Sequence, residues 1–159
     1  MLEADVDKDF NDERLLENAT YPLLAAFKLF GTRFEKFLTY TRVSQAKSVF
    51  NRSVLIYPGG GSVTFAAGTG VKSEGSLVIS GTKGYIYVPA PWWKTDYFEV
   101  RYENATENKK FYFPYEQAGL RYEIQAFLDS IRGIQGATGG LTGEETLKMI
   151  DIQNKMISK

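Results

Sequence analysis

Glu17 and Tyr21 stand four residues apart. On a helix that spacing puts a carboxylate and a phenol on one face, where they can orient a substrate hydroxyl. Trp92-Trp93-Lys94 follows the proline-interrupted end of a β-rich run. Indole rings at such an end can stack on a sugar or an aromatic ligand, and the lysine can pair with a phosphate or carboxylate. Arg121 falls on the polar side of a later helical stretch, where it can reach a second domain. Glu17, Tyr21, Trp92, Trp93, Lys94 and Arg121 are the substrate-binding candidates. Each also has a plainer reading: a solvated helical face, one core indole beside one rim indole, and solvated cations. No catalytic residue and no metal-ligand set stands out.

Composition narrows the chemistry. The 159 residues include no cysteine and no histidine. That excludes disulfides, thiolate nucleophiles, the usual zinc ligand and the usual near-neutral general base. Nineteen basic and nineteen acidic residues cancel, so a nucleic-acid partner is not expected. No apolar run approaches the roughly 20 residues of a membrane span, and the first residues lack the order of a signal peptide, so the expected compartment is the cytoplasm. Three N-x-S/T sequons, at Asn18, Asn51 and Asn104, are read as chance matches. A hydrolase built on paired carboxylates has no acids at persuasive positions.

The elements that must position the candidates follow from periodicity. Residues 1–12 are acidic and are read as a flexible arm or a linker remnant. Residues 13–30 look helical, with Leu16, Leu23, Phe27 and Phe30 on one side. Pro22 suits a first turn, so this helix is expected to start near Tyr21 or to kink there. A β-rich half follows, with strands expected at 34–43, 48–57, 62–67, 76–80, 85–89, 97–103 and 109–115. Gly81-Thr82-Lys83-Gly84 reads as a hairpin turn, with Tyr85 and Tyr87 on one face and Ile86 and Val88 on the other. Residues 118–132 carry Leu120, Ile124, Phe127, Leu128 and Ile131 at helical spacing. Thr142 and Glu145 form a capping-box pair ahead of a last helix. Short turns between strands imply antiparallel pairing. The whole reads as an α+β domain over 13–159: one largely antiparallel open sheet with helices on one face, the other face free for oligomerisation.

The glycine-rich segments do not make a nucleotide site. Pro58-Gly59-Gly60-Gly61 leads from strand to strand, and residues 133–140 follow a helix with the wrong spacing for G-x-G-x-x-G.

Within residues 70–99, the Glu74-Gly75 turn, the Ile79–Gly84 turn and the Val88-Pro89-Ala90-Pro91-Trp92-Trp93 end resemble the C-terminal domain of Gfo/Idh/MocA-type oxidoreductases. Residues 119–127, 142–146 and 15–23 match, in order, the helix after that domain's sheet, its final helix and its first helix. The resemblance implies a domain that shapes a substrate pocket and builds homo-oligomers through its open sheet face. It also implies an N-terminal Rossmann domain holding NAD or NADP, which would be supplied in cis or trans. This chain has neither the G-x-G-x-x-G fingerprint nor the family's Glu-Lys-Pro segment. Where the family often has Asp-x-x-x-His, Glu17 and Tyr21 stand, and a phenol with an ordinary pKa of about 10 is a poor near-neutral proton carrier. The expectation is a substrate and assembly domain for a sugar or polyol derivative, inactive alone and holding no cofactor. The alternative is a non-catalytic module that self-associates through its sheet.

Overall fold

The computed structural model describes residues 12–44, 46–69, 71, 73–114, 119–134 and 140–157. The acidic arm read over 1–12 lies, apart from Asp12, outside them, as does most of the glycine-rich loop at 133–140. In order, the elements are α1 (Asp12–Phe30), β1 (Lys36–Ser44), β2 (Lys47–Ile56), β3 (Ser62–Gly68), β4 (Leu77–Gly81), β5 (Gly84–Val88), β6 (Tyr97–Tyr102), β7 (Lys109–Tyr112), α2 (Leu120–Ile131) and α3 (Gly143–Ile157). The protein is therefore α+β, and every described strand pair is antiparallel. The strands are distributed over two sheets, β1-β2-β3 and β4-β5-β6-β7. They belong to two compact units, one of residues up to 71 with those from 140 on, the other of residues 73–134.

In the first unit α1 and α3 pack on one face of the three-stranded sheet. Leu55 of β2 and Tyr57, just past its end, point inward to meet Leu15, Leu23 and Phe27 of α1 and Ile152 and Met156 of α3 in a single buried cluster. Helix α1 runs from Asp12 to Phe30 with Pro22 inside it, so it does not start near Tyr21. A proline inside a helix costs about 3 kcal/mol. Burying Leu15, Leu23 and Phe27 at about 1.5–3 kcal/mol each outweighs that cost. Polar stitches hold the helices in place: Gln153 donates to the Leu16 carbonyl at 2.9 Å, and Asn18 donates to the Gly68 carbonyl at 3.0 Å. The capping box forms as read. The Thr142 N–H donates to Glu145 Oε2 at 2.7 Å, and the Glu145 N–H donates to Thr142 Oγ1 at 3.2 Å.

Part of this core is polar. Asn51 and Ser53 are fully buried. Asn51 donates to the Thr39 and Thr41 hydroxyls at 2.7 Å each, and Ser53 donates to Asn51 Oδ1 at 2.7 Å. Buried polar groups are tolerable when satisfied in this way, and such a network favours one strand register over its slips. Burial also removes Asn51 as a glycan acceptor.

In the second unit the β4–β5 hairpin closes over Thr82 and Lys83. A Cβ at Gly84 would collide with the Arg101 carbonyl of β6, so only glycine fits beside that strand. Alternation gives the sheet an apolar face, with Leu77, Ile79, Ile86, Val88 and Val100, and a tyrosine-rich face. Phe98 stacks on Phe111 and Phe113 at 5.1 and 5.7 Å on the apolar side. No described residue of this unit is buried, and the apolar stripe of α2 is exposed along its length.

Candidate functional site

The six candidates fall in both units. In the first, Glu17 and Tyr21 lie one turn apart on the solvent side of α1, opposite Leu15, Ala19 and Leu23. The helix is continuous between them, so the shared face expected from their spacing exists. In the second, Trp92, Trp93 and Lys94 occupy the loop after β5, and Arg121 is exposed in the first turn of α2.

Local chemistry shapes the tryptophan loop. The Trp92 N–H donates to the Gly75 carbonyl at 3.0 Å, and the Lys94 N–H donates to the Pro91 carbonyl at 2.8 Å. The Ala90–Pro91 peptide is cis. Gly75 takes a positive φ of 71°, and a Cβ there would press within 3.3 Å of the Trp93 ring. The indoles meet edge to face with centroids 6.1 Å apart, Trp92 half-buried and Trp93 more exposed. A polarised, partly open aromatic corner of this kind can take the C–H face of a sugar or a flat ring.

The structure also gathers residues that the sequence did not single out. On the tyrosine-rich face of the second sheet, Arg101 lies 4.5 Å over the Tyr87 ring and bonds Glu99 at 2.7 Å. Lys110 lies 3.7 Å over the Tyr97 ring and 3.9 Å from the same carboxylate. The Tyr85 hydroxyl and the Glu99 carboxylate hold Arg101 charged, above the ordinary guanidinium value. Tyr112 raises Lys110 likewise. Removal from water, aided by Glu74 3.3 Å away, raises Tyr87. The signal was present in the alternation of Tyr97, Glu99 and Arg101. Reading it required the register of β5, β6 and β7 together. Among the described residues, no group of acidic side chains could hold a metal ion.

The described residues do not fit a dinucleotide. Phosphate cradles of that type sit where a parallel strand turns into a helix, and no described pair of strands is parallel. Each described α-helix also carries acid in its first turn: Asp12 and Glu13 in α1, Glu123 in α2, Glu144 and Glu145 in α3. That charge opposes a pyrophosphate at the same place. No helix is long and apolar enough to cross a membrane, among the described residues.

The antiparallel α+β architecture can be compared with solved structures. UDP-N-acetylglucosamine 3-dehydrogenase GnnA from Acidithiobacillus ferrooxidans superposes with a TM-score of 0.71 at 13% identity, over 98% of this chain and 48% of that one. KijD10, a 3-ketoreductase from Actinomadura kijaniata solved with TDP-benzene and NADP, superposes with a TM-score of 0.68 at 16% identity, over 94% of this chain and 46% of its own. No protein-family model and no curated protein sequence matches the chain. These neighbours are Gfo/Idh/MocA-type oxidoreductases. The chain has the fold of one part of them and spans about half their length, consistent with their C-terminal domain.

Proposed function

We propose that this chain is the substrate-binding and assembly domain of an NAD(P)-dependent oxidoreductase acting on a sugar or polyol derivative. The observation that carries the reading is the fold match, which takes in nearly all of this chain and less than half of a sugar-nucleotide dehydrogenase and of a ketoreductase. The coenzyme belongs to a separate Rossmann domain, joined in cis or met in trans, because nothing described here can cradle it. Each unit offers its own residues to substrate: Glu17 and Tyr21 in the first, and Trp92, Trp93, Lys94 and Arg121 in the second. The phenol and carboxylate orient hydroxyls, the indoles cover a ring face, and Lys94 and Arg121 meet anionic substituents.

The chain's two tryptophans both lie in the proposed corner. Intrinsic fluorescence therefore reports on it directly. Titration with sugar and polyol derivatives is expected to give a saturable change, while NADH and NADPH give no tight binding and no turnover. Dehydrogenase activity from the chain alone, or tight coenzyme binding, overturns the reading.

A second reading is a non-catalytic module that self-associates. The apolar face of β4–β7, half-buried with no fully buried described residue, favours it. Light scattering after size exclusion separates the two. A pure assembly module stays oligomeric and unaltered in Glu17→Ala and Tyr21→Phe variants, and dissociates when Ile86 or Val100 becomes Lys.

A further inference from the structure

The Glu74-Gly75 turn comes just before β4, and none of the six candidates belongs to it. It lies against the tryptophan corner all the same. The Gly75 carbonyl accepts the Trp92 N–H at 3.0 Å, and the Trp93 ring comes within 3.3 Å of where a Gly75 Cβ would stand. The side chain of Glu74 therefore leaves the backbone one residue, about 3.8 Å, from the point on which the indole rests. Glu74 Oε1 accepts from the Tyr87 hydroxyl at 3.3 Å. Tyr87 is on β5, the strand that runs on through Val88 and the prolines to the tryptophans. Carboxylate, phenol and indoles thus share one stretch of surface within the second unit.

This surface has a chemistry that the indoles alone lack. Glu74 is exposed and makes no ion pair among the described residues, so its charge is uncompensated there. Arg101, over the Tyr87 ring, is already bound to Glu99 at 2.7 Å. A carboxylate that takes one phenol proton can accept further donors, and the phenol oxygen can accept one itself. An aromatic face alone takes the C–H side of a sugar or any flat ring. A carboxylate beside it selects among these, because it rewards hydroxyl donors and repels anions.

We infer that Glu74 and Tyr87 bind the hydroxyls of an uncharged polyhydroxylated ring that lies on Trp93. The substrate class is then a neutral sugar or cyclitol ring, with any phosphate or carboxylate group carried away from Glu74. The inference rests on the reading of the tryptophan corner as a substrate surface and adds two residues to it. Neighbouring ring hydroxyls donate to the Glu74 carboxylate, and the Tyr87 oxygen accepts another. The phenol keeps its own proton for Glu74, since removal from water and the carboxylate both raise its value. A ring without hydroxyls gains the stacking only.

Tryptophan fluorescence of the full chain tests this, because both indoles lie in the corner. The uncharged probes are myo-inositol and the methyl glycosides of glucose, galactose, mannose and N-acetylglucosamine. Methyl glucuronoside is the charged counterpart, and cyclohexanol the ring without neighbouring hydroxyls. At least one uncharged polyhydroxylated probe is expected to saturate the signal, with methyl glucuronoside and cyclohexanol binding more weakly. Glu74→Ala should weaken that probe about tenfold, and Tyr87→Phe should weaken it less. Glu74→Gln keeps the shape without the charge and should narrow the probe's lead over methyl glucuronoside. Far-UV circular dichroism matching the parent confirms that each variant is folded. Binding that is unchanged in Glu74→Ala and Tyr87→Phe overturns the inference but not the substrate role of the tryptophans. Saturation by methyl glucuronoside alone, or by cyclohexanol as tightly as by the sugars, does the same. No response to any probe overturns both.

Discussion

Leu15, Leu23, Leu55 and Ile152 of the first unit are fully buried, and α1 and α3 close over one face of their sheet. In the second unit a larger sheet and a helix with an equally regular apolar stripe leave nothing described below the surface. Both units were built by the same local rules: alternation in the strands and helical spacing in the helices. They differ in whether the apolar side of each element has found a cover. Local pattern forms an element, but burial supplies most of its stability. The first unit is a scaffold that holds itself. The second presents surface, and the tryptophan corner and the tyrosine–cation face are both there.

Substitutions sharpen this contrast. Leu23→Ala in the first core is expected to cost about 2–5 kcal/mol by urea unfolding. Asn51→Ala leaves the buried hydroxyls around it short of a partner and should cost about 1–3 kcal/mol. Thr142→Ala removes the α3 cap for about 1 kcal/mol. Smallest of all, Phe127→Ala on α2 should stay within about 0.5 kcal/mol, since its ring is already in solvent. A Phe127→Ala cost approaching that of Leu23→Ala would break the comparison.

Acidity offers a finer probe of the first unit. The Thr142 N–H and then Lys28, 3.2 Å away, hold Glu145 below its ordinary carboxylate value. A depressed folded value means the contribution is whole above the unfolded value, about 4.3. It is lost as pH falls through the depressed one. Lys28→Met removes the second of these partners, and should therefore flatten part of the acid side of the stability profile; unfolding midpoints measured from about pH 6 down to about 3 check it.

The sequence made the elements legible because each rests on neighbours a few residues away. The expected strand at 62–67 and the observed β3 (Ser62–Gly68) differ by one residue, and the Thr142–Glu145 cap formed as spaced. Less legible was whatever depends on distant partners. The helix through Pro22 survives because of a core contributed by β2 and α3. The Asn51–Thr39–Thr41 network needs the register of β1 on β2. The Arg101–Glu99–Lys110 group needs three strands aligned, and the division of the strands into two sheets is not written in any one of them. Of the candidate site, the shared face of Glu17 and Tyr21 was readable from spacing, as was the place of the tryptophans at a strand end. The Gly75 backing of Trp93 was not, since eighteen positions separate them.

Amide hydrogen exchange, read residue by residue on the whole chain, tests the contrast most directly. The account predicts that amides of β2 and of the middle of α1 exchange only through global unfolding, while those of β4–β7 and α2 exchange through easier local openings. Protection in β5 and β6 equal to that in β2 would contradict it.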